Sequence, residues 1–264
     1  SDPAYAVQHQ MLLMGSGADL IATRIGANRE DCDAVALLSQ QRAALAQKEG
    51  RFQSIMPVKT PEGMISEDEC IRADMTAERL ATLPAAFAEL GAAGADQVQL
   101  QKFPELSAIE HVHTMGNSPA MCDAGALVLL GDEALGSSLG MAPKARLVCS
   151  TTASGEPLEV VSGCVTATEA LLADQKLSAQ DIDLFEIHEA FAATVVKTRQ
   201  VLGIDDSRLN VNGGVIALGH PMGATGAIMA GTLIDELHRQ KLSSGIVAAS
   251  GAAGSGSALL LERY

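Results

Sequence analysis

Two histidines stand at positions where an imidazole could take part in catalysis. His220 lies in the run Asn-Val-Asn-Gly-Gly-Val-Ile-Ala-Leu-Gly-His-Pro-Met-Gly-Ala-Thr-Gly, residues 210–226, between an apolar stretch and a long amphipathic segment. Glycines let a backbone approach a ligand closely, and Pro221 suits the first turn of a helix. The imidazole is therefore expected near the positive end of a helix dipole, where an oxyanion or a thiolate is stabilised. The alternative interpretation is a strand–helix corner with a structural histidine.

Two further segments carry groups that could converge on this histidine. His188 lies in Glu-Ile-His-Glu-Ala-Phe, residues 186–191, before a predicted helix, and Ser250 opens the run Ser-Gly-Ala-Ala-Gly-Ser-Gly. Taken singly, the histidine suits helix packing and the glycine-rich run suits a hairpin. In an open α/β sheet, however, the carboxyl ends of the strands and the loops after them form the usual ligand crevice. The combination therefore predicts one pocket.

The elements that would position these groups become regular after residue 145. Strands are predicted at 146–151, 183–187, 209–211, 246–249 and 258–262, and helices at 166–175, 189–202 and 222–239. Strands that alternate with helices of this length indicate a layered α/β fold, with the last two strands as an antiparallel pair.

The chain before residue 145 is more irregular. Asn28 is expected to cap a helix over Arg29–Lys48, with acidic residues in its first turn. The other predictions are an extended segment at 52–60, a helix at 76–92, a loop at 94–115 and a strand at 126–130.

Composition narrows the class of protein. Hydrophobic residues make up 47% of the 264 residues and charged residues 19%, which is enough for a sizeable core. No apolar run is long enough to span a bilayer and no signal peptide opens the chain, so a cytoplasmic protein is expected. A formal net charge of −14 argues against nucleic-acid binding, although a local site for a small anion stays possible. The five scattered cysteines show no metal-ligand spacing and are expected to be structural thiols.

On the Asn-Val-Asn-Gly-Gly…Gly-His-Pro run, the His-Glu-Ala-Phe segment and the closing glycine-rich loop, the chain resembles the thiolase family, the acetyl-CoA C-acyltransferases. The likeness extends upstream through residues 111–118 and 39–58. It implies an α/β thiolase-like layered fold: a C-terminal half with a mixed five-stranded sheet, part of the loop domain, and no N-terminal half. The implied division is 1–125 for the remainder of the loop domain, 126–145 for a connecting strand region, and 146–264 for the C-terminal domain.

The resemblance also implies roles for individual residues. His220 would activate the nucleophilic cysteine and help bind the thioester oxygen, and His188 would help hold a water in the same oxyanion hole. Ser250 stands where the family has a second cysteine, the acid/base at the α-carbon of acetyl-CoA. The backbone N–H of Ala252 would be a donor of the second oxyanion hole. No metal ligand is implied.

Departures from the family pattern leave two hypotheses. The nucleophilic cysteine is expected to lie outside this chain, a serine hydroxyl at position 250 is a far weaker acid than a thiol, and Pro119 replaces a coenzyme-contacting serine. The first hypothesis is a thiolase-type acyltransferase that cleaves 3-ketoacyl-CoA with coenzyme A, or runs the reverse Claisen condensation, as in fatty acid degradation. The alternative is a catalytically decayed thiolase-like subunit that serves as an interaction partner of another thiolase-type chain.

The partners implied by the resemblance follow from both hypotheses. Coenzyme A and acyl-CoA would be substrates, and no cofactor would be permanently bound. The chain would form a homo-oligomer, or a hetero-oligomer with a thiolase-type chain, without nucleic acid and without membrane insertion.

Overall fold

Two long helices open the part of the chain that the computed structural model describes, residues 12–264. Helix α1 spans Met14–Ile25 and helix α2 spans Arg29–Lys48. The prediction for α2 is confirmed, including its cap. The Asn28 side chain accepts a hydrogen bond from the Asp31 N–H, and the Asp31 carboxylate accepts one from the Asn28 N–H. This reciprocal pair satisfies donors that the first turn would otherwise leave free.

Short elements follow as far as residue 144. They are the hairpin strands β1 (Val58–Thr60) and β2 (Gly63–Ile65), and helices α3 (Ala77–Ala81), α4 (Ala88–Leu90), α5 (Asp96–Lys102) and α6 (Glu133–Leu139).

Several predictions for this region are wrong. Only the end of the predicted extended segment 52–60 pairs as a strand, and α5 lies inside the predicted loop 94–115. The predicted helix 76–92 is divided into α3 and α4 around Pro84, because proline lacks a backbone N–H and clashes with the preceding turn.

The predicted strand at 126–130 is also wrong, whereas the division of the chain at residues 126 and 145 stays a prediction. The segment has no secondary structure, and Leu127 is 94% exposed. The apolar pattern is typical of a strand, but none of the described strands pairs with this segment. Its backbone N–H and C=O groups therefore form no ladder hydrogen bonds with a described strand.

A four-stranded mixed sheet organises the rest of the chain. Its strands are β3 (Ala145–Ser154), β4 (Leu184–Ile187), β5 (Ser244–Ser250) and β6 (Ser255–Arg263), in the order β3-β6-β5-β4. Strand β6 is antiparallel to both neighbours, whereas β4 and β5 are parallel. The carboxyl ends of β3, β4 and β5 therefore meet at one edge of the sheet, as the ligand-crevice argument requires.

The predicted fifth strand at 209–211 is reduced to a single bridge between Leu209 and Phe185. Asn210 takes a positive φ of 46°, which turns the chain away from the sheet after one pair. The expectation of a mixed sheet is confirmed, but within residues 12–264 the fifth strand is not formed.

Helices cover both faces of this sheet. They are α7 (Gly163–Gln175), α8 (Ala192–Leu202), α9 (Val215–Leu218) and α10 (Thr225–Gln240). Alternation along β5 sends Ile246 towards the core shared with α7 and α8, and Val247 towards α10. No helix within the described residues is both long enough and apolar enough to cross a membrane.

Candidate active site

His188 lies at the carboxyl end of β4, where the sheet opens. Its backbone N–H donates to the carbonyl of Ala248 on the parallel neighbour β5 at 2.9 Å. The side chain is only 4% exposed, and neither ring nitrogen has a hydrogen-bond partner among the described residues. Burial, with a smaller contribution from His220, lowers the pKa of His188 to about 4. The imidazole is therefore neutral near pH 7, and residues 12–264 provide no hydrogen bond to its ring nitrogens.

His220 faces His188 from the turn that leads into α10. The two rings have centroids 4.6 Å apart and are tilted by 46°. Nδ1 of His220 shares a 2.8 Å hydrogen bond with Oγ1 of Thr225, the first residue of α10. Burial lowers the pKa of His220 too. The two predicted histidines therefore lie side by side, and Nε2 of His220 has no hydrogen-bond partner among residues 12–264.

The chain approaches His220 differently from the prediction. The predicted helix start at residue 222 is a tighter turn over Met222–Ala224, and α10 begins only at Thr225. Gly219 has a φ of +90°, a conformation that a side chain would strain. The backbone N–H of His220 donates to the Ala120 carbonyl at 2.8 Å. The histidine is thus held between the helix start and an upstream loop that sequence reasoning did not connect with it.

A buried carboxylate joins the segments that carry the two histidines. Oε2 of Glu189 accepts hydrogen bonds from the Ser39 hydroxyl at 2.8 Å and from the Ile216 N–H at 3.0 Å. Oε1 accepts from Nδ2 of Asn210 at 3.2 Å. Burial raises the pKa of Glu189, and these hydrogen bonds partly oppose that shift. Ile216 belongs to α9, which leads into His220, and Glu189 directly follows His188. The Glu189 carboxylate therefore links the segment of His188 to the helix before His220.

Ser250 ends β5 at the same edge of the sheet. Its Oγ accepts a hydrogen bond from the backbone N–H of Cys164 at 3.0 Å, in the first turn of α7. The Ser250 hydroxyl also contacts the Cys164 thiol, where it partly opposes the rise that burial causes in the pKa of Cys164. The Ser250 backbone also lies near the His188 ring, where it partly opposes the lowering of the His188 pKa. The sequence predicted Cys164 to be a structural thiol, and its contact with Ser250 was not foreseen because the two residues are far apart in the chain.

An open cavity of about 590 Å³ adjoins Ser250. It is lined by residues of β3, β5, β6 and the turn after β5, namely Thr152, Ala153, Ser154, Ala249, Ser250, Gly251, Ser255, Gly256 and Ser257. The lining is small and rich in hydroxyl groups. It can therefore accept a polar ligand beside the serine.

Ala252 lies in the turn between β5 and β6. Its carbonyl accepts from the N–H of Ser255 at 3.1 Å and from the Ser255 hydroxyl at 2.8 Å. Its own N–H donates to no partner among residues 12–264. Ala253 and Gly254 both have positive φ, which makes the turn tight. The Ala252 N–H is free for an external acceptor.

Comparison with known proteins gives one consistent family. The sequence model "Thiolase, C-terminal domain" matches residues 141–263, and "Thiolase, N-terminal domain" matches residues 3–99. The second match gives no support to the expectation that the N-terminal half is absent, because residues 3–99 match the family's N-terminal domain.

The curated relatives and solved structures agree with these matches. The chain is 36% identical to an acetyl-CoA acetyltransferase of Allochromatium vinosum, over 95% of this chain and 60% of the relative. It is also 36% identical to a 3-ketoacyl-CoA thiolase of Bacillus subtilis, over 94% and 62%. The crystal structure of human mitochondrial 3-ketoacyl-CoA thiolase superposes with a TM-score of 0.81 at 30% identity, over 97% of this chain and 61% of that one. The structure of the same human enzyme in complex with CoA gives 0.82.

These alignments agree in extent as well as in family. The chain spans about 60% of the length of the curated relatives it matches. With both domain models of one family on the chain, relatives above 30% identity and matching solved structures, the chain belongs to the thiolase family.

Proposed function

We propose that this chain takes part in thiolase-type acyl transfer, the coenzyme A-dependent cleavage of a 3-ketoacyl-CoA or the reverse Claisen condensation. The observation that carries the proposal is the pair of neutral imidazoles, His188 and His220, with ring centroids 4.6 Å apart at the carboxyl edge of the sheet. The matched relatives named acetyl-CoA acetyltransferase and 3-ketoacyl-CoA thiolase support this class of reaction.

The two histidines suit the two tasks of the first step. When a thiolate attacks a thioester or ketone carbonyl, the carbonyl oxygen becomes an oxyanion that needs donors. A neutral imidazole can donate through one nitrogen and accept through the other. His220, whose Nδ1 is held by Thr225, would use Nε2 to take the proton of the attacking thiol and to bind the oxyanion. His188 would donate to the same oxygen, directly or through a water.

Ser250 and Ala252 would act at the second carbonyl. Cleavage releases the enolate of an acyl-CoA, whose oxygen the free Ala252 N–H would bind. The enolate carbon then needs a proton. The Ser250 oxygen accepts from the Cys164 N–H, which fixes the hydroxyl at the edge of the cavity, where it would hydrogen-bond to a water or thiol. A serine hydroxyl is a poor acid near neutral pH, which makes this proton transfer the weakest part of the site.

Four of the five cysteines in this sequence do not suit the attacking thiolate, which we propose comes from a cysteine outside this chain. Burial raises the pKa of Cys32 to about 12 and that of Cys164 to about 11. It raises the pKa of Cys122 and Cys149 as well. A nucleophilic cysteine needs the opposite shift. Coenzyme A and acyl-CoA are the proposed substrates, with no permanently bound cofactor. The cytoplasmic location stays a prediction.

A second candidate function is supported by an exposed apolar run. Leu127, Val128, Leu129 and Leu130 are 94%, 45%, 61% and 67% exposed, in a segment with strand-like composition and no strand partner among the described residues. Contiguous apolar surface of this kind marks an interaction site. The chain would then be a thiolase-like subunit that associates with a copy of itself or with another thiolase-type chain.

The experiment that separates these functions measures thiolysis of acetoacetyl-CoA and, by calorimetry, binding of coenzyme A. Both are measured for the chain alone and with a co-expressed thiolase-type chain. We expect His220→Ala to lower turnover by about 10²–10³, since it removes an oxyanion donor. His238→Ala, at an exposed histidine of α10, is the matched control and should leave turnover unchanged.

Each outcome decides between the hypotheses. Turnover that survives His220→Ala would overturn the assigned role. Binding of coenzyme A without turnover, by a chain that associates in light scattering, would favour the subunit function. A stable monomer that neither binds nor turns over would overturn both. A gain of turnover in Ser250→Cys would support the acid/base position.

A further inference from the structure

Two cysteine thiols that the acyl-transfer chemistry does not use meet beside the glycine that precedes His220. A Cβ built on Gly219 would lie 2.6 Å from Sγ of Cys122 and 3.1 Å from Sγ of Cys70. The two sulfurs thus pack against one point of the backbone, although they are far apart in sequence. Burial raises the pKa of Cys122, and the Cys70 thiol is the next contributor, as expected for direct neighbours.

Cys70 and Cys122 are accessible to reagents, whereas the fully buried cysteines are not. Cys70 and Cys122 are both free thiols of intermediate exposure, and Met121 beside Cys122 is 81% exposed. Cys32 and Cys164 are each 0% exposed. Cys149, which is also partly exposed, lies on β3 away from this pair. Small oxidants therefore reach two adjacent thiols at one place in the described chain.

The loop that carries Cys122 also holds His220. The Ala120 carbonyl accepts the backbone N–H of His220 at 2.8 Å, and Met121 forms a parallel bridge with His220. A displacement of Cys122 would therefore be transmitted to the backbone of the histidine through two adjacent residues. Gly219 allows the approach, since any side chain there would collide with both sulfurs.

We propose that Cys70 and Cys122 form a reversible disulfide, a redox modification site that alters the position of His220. The oxidant is a hydroperoxide. The Cys70 thiol loses its proton and attacks the O–O bond, which breaks to give the sulfenic acid of Cys70 and water or an alcohol. The second thiolate then attacks the sulfenic sulfur, the S–S bond forms, and water leaves. Two thiols have lost two protons and two electrons, and the peroxide has been reduced. A dithiol reverses the reaction by exchange.

Formation of the bond requires movement. Disulfide sulfurs are about 2.05 Å apart, closer than any contact of two free thiols. The segment of Cys70, the segment of Cys122, or both must therefore shift across Gly219. Because the Cys122 segment holds the His220 backbone, oxidation should change the environment of the imidazole. The proposal does not depend on acyl transfer, and it is tested without substrate.

The site is tested on the full chain by peptide mapping. The protein is treated with hydrogen peroxide, free thiols are blocked, and a tryptic digest is analysed without reduction. Cleavage at Lys59, Arg72, Lys102 and Lys144 gives peptides 60–72 and 103–144, which contain only Cys70 and only Cys122. We expect these peptides to be linked, lighter together by two hydrogens, and separated again by dithiothreitol.

Matched variants keep the test specific. The linked peptide should be absent from Cys70→Ser and from Cys122→Ser, and present in Cys149→Ser. Failure to link in the wild type, or equal linkage of either cysteine to Cys149, would overturn the site. Phenylarsine oxide, which binds adjacent dithiols, should be captured by the reduced wild type and not by the two serine variants. Absence of capture would also overturn the pairing.

Coupling to the histidine is tested by NMR of protein labelled with ¹³C-histidine. The His220 ring signal, assigned by its loss in His220→Ala, should shift on oxidation and return on reduction. It should stay fixed when Cys122→Ser is treated with the same oxidant. A linked protein with an unmoved His220 signal would overturn the coupling.

Discussion

Two histidine clusters in this chain are built in opposite ways. In one, His111 and His113 surround the buried carboxylate of Asp19. In the other, His188 and His220 face each other, and no carboxylate contacts either ring among residues 12–264. The first cluster satisfies its polar atoms internally, whereas the second leaves ring nitrogens without partners. The first cluster uses histidine structurally, whereas the second has the unpartnered ring nitrogens that the proposed ligand site needs.

The Asp19 cluster joins three segments. Oδ1 of Asp19 accepts from Nδ1 of His113 at 2.7 Å and from the N–H groups of Val112 and His113. Its Oδ2 is 2.9 Å from Nδ1 of His111. Nε2 of His113 then accepts the N–H of Ala193, at the start of α8, at 3.3 Å. A hydrogen-bond chain therefore runs from α1 to the helix that follows His188.

The largest effect is expected from Asp19→Ala. The substitution leaves buried N–H donors without an acceptor in a site where Asp19 and His113 are 0% exposed. Breaking a buried, hydrogen-bonded pair of this kind typically costs about 3–5 kcal/mol. Urea unfolding followed by circular dichroism should show a loss of that size in the free energy of unfolding. Glu105→Ala, at an exposed acid, is the control and should change it by less than about 0.5 kcal/mol. Equal effects of the two substitutions would refute the structural assignment.

A smaller effect, in the dependence of stability on pH, is expected from His188→Asn. The unfolded chain binds the His188 proton with a pKa near 6.5, and the folded protein only near 4. Between these values the unfolded state binds more protons, so the wild type loses stability as pH falls from 6.5 to 4. The full difference amounts to about 3 kcal/mol. In urea titrations over this pH range, the free energy of unfolding of His188→Asn should fall by about 3 kcal/mol less than that of the wild type. His238→Asn should follow the wild type, and parallel curves for His188→Asn and the wild type would show that burial does not suppress the charge.

The sequence predicted the second cluster better than the first. His188 and His220 stand in motifs at strand–helix corners, and the rule for carboxyl ends of strands brought them together. Residues 111–118 were noted only as part of the family resemblance. Nothing in their order predicted that Asp19, on a distant helix, would accept hydrogen bonds from both histidines. Pairing of this kind depends on tertiary packing, which a local pattern does not encode.

The same limit explains the errors in secondary structure. Residues 146–264 alternate strands and helices whose apolar faces meet each other, so local patterns and packing agree there. Residues 126–130 have the pattern of a strand without a pairing neighbour in the described chain, and they stay exposed. At 209–211 the apolar pattern was read correctly, but the positive φ of Asn210 ends the pairing. The Asn210 side chain instead accepts from the Ile187 N–H at 2.8 Å and donates to the Ile187 carbonyl at 2.9 Å.

The smallest effect, and the opposite sign, is expected from His111→Gln. Both ring nitrogens of His111 face carboxylates, Asp19 at 2.9 Å and Asp96 at 3.1 Å, and only an imidazolium donates from both. Partial burial opposes the charge, but the hydrogen bonds and charges of Asp19 and Asp96 outweigh it and raise the pKa of His111. The stabilisation is therefore complete below pH 6.5 and is lost as pH rises through the folded pKa. In urea unfolding from pH 6 to pH 9, the wild type should lose more stability than His111→Gln. Solvent screening at this partly exposed ring should keep the difference below that for His188.

His238→Gln should again follow the wild type. A variant that loses stability in parallel with the wild type would mean that His111 is neutral, and the contrast between the two clusters would then rest on hydrogen bonding alone.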